Sequence, residues 1–160
     1  MSLKAGIQKF YKIKEKDTSK PFKVLGILVT RDTHLGTLKL SQSEYIESIL
    51  QRFDMSICNP MNTPVEKGSH LRNNENTAYD NAKEYQALTG SLTYAVVSTR
   101  PNIAYITQFL SQSNKNPTQQ DWIAGKRVLR YLKGTKDLGI VYRRDCEQAV
   151  EHDHVIPWGY

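Results

Sequence analysis

The chain has 160 residues with 39% hydrophobic and 24% charged side chains, a composition typical of a globular protein that excludes a disordered one. Its net charge of +6 is concentrated in residues 114–144, with eight Lys or Arg against two Asp, and in residues 1–23, with seven Lys against two acidic residues. Two basic segments beside a nearly neutral centre favour a polyanionic partner, and ordinary solvated surfaces are the alternative.

The first half of the chain predicts a β-hairpin followed by a helix. Residues 22–30 form an apolar, β-branched run typical of a buried strand, residues 32–36 supply a turn, and residues 37–40 alternate as a return strand. The Ser-Gln-Ser-Glu sequence of residues 41–44 matches a capping box and predicts the start of a helix. The apolar residues of this helix recur at helical spacing at Ile46, Ile49, Leu50 and Phe53. Residues 66–80 are polar and predict a loop.

The second half predicts three helices and two strands, so the expected fold class is α+β. The first two helices cover residues 81–98 and 101–112, the latter with a proline at its first turn, where a missing N–H group costs nothing. The Thr-Gln-Gln-Asp sequence of residues 118–121 predicts a second capping box, and Gly134 predicts the end of the helix that it opens. Residues 138–142 predict a strand, and the hydrophobic end of the chain predicts another.

One face of the helix predicted at residues 81–98 combines three different residue types. An amide, a bare backbone position and an aromatic ring fall at i, i+4 and i+8, at Gln86, Gly90 and Tyr94. The predicted buried stripe of this helix consists of Leu88, Leu92 and Val96. The first face suits a smooth polar surface such as a nucleic-acid minor groove, because glycine lets the backbone approach closely. The alternatives are that Gly90 permits helix packing and that Tyr94 belongs to the core.

The helix predicted after residue 118 has an apolar face and a basic face. Its core-facing residues are predicted at Trp122, Leu129 and Leu132. Its basic stripe consists of Lys126, Arg130 and Lys133. We expect this stripe to bind nucleic acid, with a solvated helix face as the alternative.

Five segments occur in a specific order and spacing across residues 20–144. They are Val-Leu-Gly-Ile at 24–27, the run from Gly36 to Glu47, Leu-Thr-Gly-Ser-Leu-Thr-Tyr-Ala at 88–95, Thr-Arg-Pro-Asn-Ile-Ala-Tyr at 99–105 and Leu-Arg-Tyr-Leu-Lys-Gly-Thr at 129–135. In this order they resemble the Copia-type family of LTR-retrotransposon Pol polyproteins, from the end of the reverse-transcriptase palm to the edge of ribonuclease H. One departure is Asn102, where the family pattern has an Asp that could pair with Arg100.

The resemblance implies three regions along the chain. They are a palm remnant with a primer-grip-like hairpin at residues 1–40, a helical thumb and connection at 41–144, and C-terminal strands that lead into a truncated ribonuclease H domain at 145–160. The hairpin would steady the primer 3′ end, and residues 81–112 would be the thumb. The thumb-helix face that tracks the minor groove would consist of Gln86, Gly90 and Tyr94.

Paired catalytic carboxylates are missing from the sequence. In the family that it resembles, a Tyr-Val-Asp-Asp run supplies two aspartates for the metal ions of the polymerase, and no Asp-Asp pair occurs here. Cys58 and Cys146 are too few and too far apart for a disulfide framework or a zinc site, and the four His residues are scattered. We therefore expect no catalytic residue, no metal site and no cofactor in this chain, while the parent enzyme would need Mg²⁺.

The sequence predicts a fragment of a Copia-type reverse transcriptase without the polymerase and ribonuclease H aspartates. RNA-directed DNA synthesis would be the activity of the parent polyprotein, and the role left to this chain would be binding an RNA–DNA or DNA primer–template. We expect the rest of the Pol polyprotein as a second partner, no membrane contact, and an intracellular location, either cytoplasmic or nuclear. The alternatives are a non-functional element remnant and a repurposed protein-interaction module.

Overall fold

The computed structural model describes residues 20–66 and 77–144, which confirm the predicted α+β class. One sheet contains the strands β1 (Phe22–Val24), β2 (Ile27–Asp32), β3 (Thr37–Ser41) and β4 (Gly139–Arg143). The α-helices are α1 (Ser43–Arg52), α2 (Ala82–Ser98), α3 (Ala104–Ser111) and α4 (Gln119–Gly134). A short 3₁₀ turn at Pro101–Ile103 precedes α3.

The sheet is antiparallel throughout, with the strand order β1-β2-β3-β4. β4 pairs with β3 and places Gly139 opposite Ser41. Residue 139 has room only for glycine, because a Cβ atom there would lie 2.1 Å from the carbonyl oxygen of Leu40. The strand predicted at residues 138–142 is therefore confirmed, and it extends the sheet of the predicted hairpin. The strand predicted at residues 155–160 lies outside the described residues.

The apolar run at residues 22–30 forms two strands and not one. β1 and β2 pair with Val24 opposite Ile27, and the two residues between them have positive φ angles, +50° at Leu25 and +77° at Gly26. Positive φ at both central residues matches the twist of a two-residue hairpin. The prediction of a single strand was wrong because the apolar, β-branched composition is the same on both sides of this turn.

The capping box predicted at residues 41–44 does not form. α1 begins at Ser43, and Gln42 precedes it without a side-chain hydrogen bond to the helix. The Gln42 side-chain oxygen accepts instead from Thr99 Oγ1 at 2.8 Å, and Glu44 forms an exposed ion pair with a lysine of β1. This prediction was wrong because residue 41 is held in β3 by its pairing with β2 and β4, so the N-cap is Gln42 and the helix starts one residue later than the box predicts.

The helices predicted in the second half are confirmed. The second capping box opens α4: Asp121 N–H donates to Thr118 Oγ1 at 3.2 Å, and Thr118 N–H donates to the Asp121 carboxylate at 3.0 Å. α4 ends at Gly134 as predicted. Most of the loop predicted at residues 66–80 lies outside the described part of the chain.

The buried apolar core comes from the helices and their adjoining loops, and among the described residues it includes no strand residue. The predicted core positions of α1, α2 and α4 are buried as expected, except that Val96 is half-buried. The core side chains with no exposed surface are Ile46, Tyr85, Leu88, Leu92, Ala95, Ile103, Leu110, Val128, Leu129 and Leu132. The helices and the loops beside them therefore supply the buried apolar centre of the described fold.

One face of the sheet carries apolar side chains that the described residues leave partly exposed. Alternation along the paired strands places these side chains on the same side. They are Phe22, Ile27, Val29, Leu38, Leu40 and Ile140, with the more exposed Val24 and Tyr142 on the two outer strands. We call this set the apolar sheet face.

Candidate nucleic-acid interface

The outward side of α2 is a continuous exposed stripe. Its exposed positions follow helical spacing at Lys83, Gln86, Gly90, Thr93 and Val97. The opposite side is buried in the core at Tyr85, Leu88, Leu92 and Ala95. We call the five exposed positions the α2 stripe, and two of the three predicted minor-groove residues lie on it.

Gly90 lies at the centre of the α2 stripe beside open space. No described atom outside its own stretch of helix lies within 4 Å of the position that a Cβ atom would take. Gly125 of α4 is different, because a Cβ atom there would lie 2.6 Å from Leu88 Cδ2. Within the described residues, helix packing explains the glycine at position 125 and does not explain the one at position 90.

Gln86 is exposed and is held by a neighbouring segment. Its side-chain amide donates to the backbone oxygen of Asn114 at 2.9 Å, and Asn114 Oδ1 accepts from Thr89 Oγ1 at 2.7 Å. These bonds tie α2 to the segment after α3. The amide is therefore presented at the surface in a defined orientation.

Tyr94 is partly buried beside the α2 stripe. Its ring packs edge-to-face against Tyr45 of α1, with ring centroids 4.8 Å apart, and its hydroxyl donates to the carbonyl oxygen of Leu25. The Tyr45 hydroxyl donates to the Ser91 carbonyl oxygen at 3.0 Å, and burial raises the pKa of Tyr45. Tyr94 is thus neither a fully buried core residue nor a free surface ring, and it connects α2 to the β1–β2 turn.

The predicted basic stripe of α4 contacts the loop after α1. Lys133 Nζ donates to the carbonyl oxygens of Ser56 and Cys58, each at 2.7 Å, and Arg130 Nε donates to the carbonyl oxygen of Asn59 at 2.7 Å. The Lys126 ammonium lies 5.1 Å from the centre of the Trp122 ring. The predicted site residues of α4 therefore contact the loop after α1. Those of α2 contact the segment after α3 and the β1–β2 turn.

A groove of about 760 Å³ runs beside the basic face of α4. Its apolar walls include Met55, Val65, Ile106 and Ile123, and its cations are Lys126, Arg127 and Arg130. Arg127 Nη2 donates to Thr63 Oγ1 at 3.1 Å. The described lining of this groove has no aromatic ring on which a nucleic-acid base could stack.

Arg100 is a buried cation with a structural role. It is 1% exposed, and its guanidinium donates to the Thr135 carbonyl oxygen at 2.9 Å, to Thr135 Oγ1 at 2.6 Å and to Asn102 Oδ1 at 3.2 Å. The Asn102 amide also donates to the Tyr131 hydroxyl at 2.6 Å. Burial lowers the pKa of Arg100. These bonds tie the α2–α3 junction to the end of α4.

Leu25 is the residue of this region that sequence reasoning did not single out. It is 84% exposed at the tip of the β1–β2 turn, and its carbonyl oxygen is the acceptor for Tyr94. The glycine that follows it is a signal for a turn within the apolar run. Its contact with α2 joins residues far apart in sequence, which no local pattern reveals.

Two general site classes find no support in residues 20–66 and 77–144. No cluster of three or more His, Cys, Asp or Glu side chains there is arranged to hold a metal ion. No helix in these ranges is long and apolar enough to cross a membrane.

Comparison with known proteins finds Pol polyproteins of plant transposons among the relatives of this chain. The retrovirus-related Pol polyprotein from transposon TNT 1-94 of Nicotiana tabacum is 35% identical over 141 residues, which are 83% of this chain and 10% of that polyprotein. The Pol polyprotein from transposon RE2 of Arabidopsis thaliana is 39% identical over 107 residues, 67% of this chain and 7% of the relative. An uncharacterized mitochondrial protein of Arabidopsis thaliana is 36% identical over 128 residues, 79% of this chain and 51% of that protein.

These similarities define the class of protein, a segment of the retrovirus-related Pol polyproteins of transposons. The chain belongs to the Copia-type family of these polyproteins, as its motifs predicted. It spans about a tenth or less of the Pol polyproteins compared here. No protein-family model matches the chain. No solved structure matches it significantly.

Proposed function

We propose that this chain is a non-catalytic part of a Copia-type reverse transcriptase, and that its α2 stripe contacts an RNA–DNA or DNA duplex. The observation that carries the proposal is Gly90. Glycine inside a helix costs about 1 kcal/mol relative to alanine, and no described packing contact accounts for that cost at this position. Close approach of a ligand to the helix backbone accounts for it.

The chemistry of the neighbouring side chains supports the same partner. Gln86 offers an amide that can hydrogen-bond base edges or sugars, and Tyr94 offers a ring that can pack on a ribose. The net charge of +6 favours a polyanion. We assign phosphate contacts to Lys126, Arg130 and Lys133 in a supporting role, because each of them also has a partner within the chain.

We assign the polymerase chemistry to other parts of a Pol polyprotein. Phosphoryl transfer by a reverse transcriptase needs Mg²⁺ held by aspartates, and the sequence has no adjacent pair of Asp residues. The chain alone is therefore proposed to bind nucleic acid without polymerising or cleaving it. The rest of the polyprotein is its proposed protein partner, in the cytoplasm or the nucleus.

Binding of the purified chain to a short labelled RNA–DNA hybrid tests this proposal by fluorescence anisotropy. Affinity should fall about ten-fold or more between about 50 and about 200 mM salt. Gly90→Leu should weaken binding about ten-fold, because the new side chain keeps the helix backbone away from the duplex. Gln51→Leu, at an exposed position of α1, is the matched control and should bind like the unchanged chain.

Two results would count against the proposal. Binding that is absent at low salt, or that does not depend on salt, would remove the nucleic-acid function. Equal loss of affinity in Gly90→Leu and Gln51→Leu would remove the α2 stripe as its surface. Thermal unfolding of each variant shows whether the fold is retained, and a chain with no cooperative transition would favour the non-functional remnant.

A second candidate function is protein interaction, and the apolar sheet face favours it. Val24 and Tyr142 on this face are 46% and 55% exposed. A partly exposed apolar face is suited to contact with another protein surface. Co-purification with the remaining Pol polyprotein, lost on Tyr142→Lys and retained on Ile57→Lys, would support this function. Equal recovery with both variants would exclude this face.

A further inference from the structure

We propose that Tyr94 is a positioning residue that ties the β1–β2 turn to α2, so that Leu25 and the α2 stripe form one duplex-binding surface. The inference rests on the function proposed above and changes the role of Tyr94 within it. Tyr94 then acts through the carbonyl oxygen of Leu25, in addition to any contact of its ring with a ribose.

The contacts of Tyr94 reach both elements. Its ring packs on Tyr45 of α1, and its hydroxyl donates to the backbone of the turn. The backbone of the next turn residue, Gly26, also lies close to Tyr94. A Cβ atom there would lie 3.5 Å from the Tyr94 hydroxyl oxygen. The side chain therefore bridges the helix and the tip of the hairpin.

This bridge matters because it joins the hairpin tip directly to a helix that belongs to the described core. No strand side chain belongs to the described apolar core. The ion pair of Lys23 with Glu44 joins β1 to α1, but both side chains are more than half exposed, and exposed pairs hold such a geometry weakly. The hydrogen bond from Tyr94 is made to the tip itself.

The residue at the tip of the turn combines a strained backbone conformation with a highly exposed apolar side chain. Leu25 has a φ angle of +50° and is 84% exposed. A bulky residue in this region is strained, and Asn or Gly would fit the turn better. An exposed apolar side chain held beside the α2 stripe is suited to contact the apolar edge of a sugar in a bound duplex.

Tyr94→Phe tests the bridge with a closely matched control. The variant keeps the ring on Tyr45 and removes only the hydroxyl. Tyr45→Phe removes the neighbouring hydroxyl and its bond to the Ser91 carbonyl oxygen, but it leaves the bond to the turn. Two quantities are measured for both variants: the ¹⁵N heteronuclear NOE of the Gly26 amide in the free chain, and the affinity for the RNA–DNA hybrid.

We expect Tyr94→Phe to lower the NOE of Gly26 and to weaken binding about five-fold, with an unchanged salt dependence because no phosphate contact is lost. Tyr45→Phe should change neither quantity. As a single substitution, Leu25→Asn should weaken binding of the hybrid. Added to Tyr94→Phe it should have no further effect, since a released tip no longer contributes to binding.

The two proposals fail in different ways. If the unchanged chain does not bind the hybrid, the proposed function fails and the binding role of Tyr94 fails with it. If the chain binds but Gly26 is equally ordered in Tyr94→Phe and the unchanged chain, the bridge is wrong while the α2 stripe remains. If the NOE falls while the affinity stays unchanged, the tip does not contribute to duplex binding, and the inference is also overturned.

Discussion

Arg100 shows how a single position can limit the stability of this fold. Its guanidinium is buried, and the oxygens that accept from it, on Thr135 and Asn102, are neutral. A hydrogen bond between two oppositely charged groups is stronger than one between a charged group and a neutral group. An acidic residue at position 102 would therefore suit Arg100 better than the asparagine that is present.

We predict that Asn102→Asp raises the free energy of unfolding by about 1 kcal/mol at neutral pH. The new carboxylate would accept from Arg100 Nε, and the Tyr131 hydroxyl could donate to it in place of accepting from the amide. Urea denaturation measures the change. Asn116→Asp, at an exposed position, adds the same charge and should have little effect. Equal stability of the two variants would contradict the prediction.

Gly90 gives a second prediction at the residue scale. Because the space around its Cα is open, Gly90→Ala should raise the free energy of unfolding by about 1 kcal/mol through helix propensity alone. Gly125→Ala is the opposite case, since the added methyl group would meet Leu88 at 2.6 Å, and it should destabilise the chain by about 1–3 kcal/mol. Chemical denaturation compares the two, and destabilisation by Gly90→Ala would show a contact that the described residues lack.

At the scale of elements, the two capping-box sequences explain which parts of the fold local patterns can predict. The box at residues 118–121 forms, with Thr118 and Asp121 exchanging both capping hydrogen bonds. The box at residues 41–44 does not, because residue 41 pairs with Gly139 in the sheet. That pairing joins segments almost 100 residues apart in sequence, and a four-residue pattern carries no information about it.

In the candidate site too, local sequence patterns predict some features and tertiary packing decides the others. The i, i+4, i+8 spacing correctly placed Gln86 and Gly90 on an exposed helix face, since helix periodicity is local. The contact of Tyr94 with Leu25 was not predictable, because it depends on how the hairpin sits beside α2. The cations of α4 were predicted to lie on one face, but their bonds to the loop after α1 depend on tertiary packing.

Lys133 provides the test of what that basic face does for the fold. Its ammonium holds the carbonyl oxygens of Ser56 and Cys58, so Lys133→Met should lower the free energy of unfolding by about 1–2 kcal/mol. Lys115→Met removes the same charge at an exposed position and should leave stability nearly unchanged. Thermal and urea unfolding measure both. If the two variants are equally stable, the loop is held by other contacts.

At the scale of the whole molecule, the described fold has an uneven distribution of apolar surface. The helices and their adjoining loops enclose a core, while the sheet lies outside that core and has an apolar face that the described residues leave partly exposed. β4 joins the sheet of the hairpin, so residues assigned from the sequence to different regions of the polymerase share one structural element. This face of the sheet is the surface that the second candidate function, protein interaction, assigns to a partner.

One buried tyrosine and two half-buried ones make the stability of the described fold sensitive to alkaline pH. Burial, with a hydrogen bond to Glu84, raises the pKa of Tyr79 to about 12. Burial also raises the pKa of Tyr85 in the core and of Tyr45 beside it. A folded-state pKa above the unfolded value of about 10 means that folding favours the protonated phenol. The stabilisation is complete below about pH 10 and is lost as the pH rises through the folded-state pKa.

We therefore predict a steep loss of stability above about pH 10, approaching about 1.4 kcal/mol per pH unit for the buried Tyr85 and less for the more exposed Tyr79 and Tyr45, whose charges water screens. Tyr85→Phe isolates one of these groups. The variant loses the hydrogen bond from the Tyr85 hydroxyl to the Leu110 carbonyl oxygen, at 2.7 Å, so it should be less stable at neutral pH but have a shallower alkaline slope. Urea denaturation at a series of pH values between about 8 and 11.5 measures both quantities. Parallel curves for the variant and the unchanged chain would show that Tyr85 ionises as freely in the folded protein as in the unfolded one.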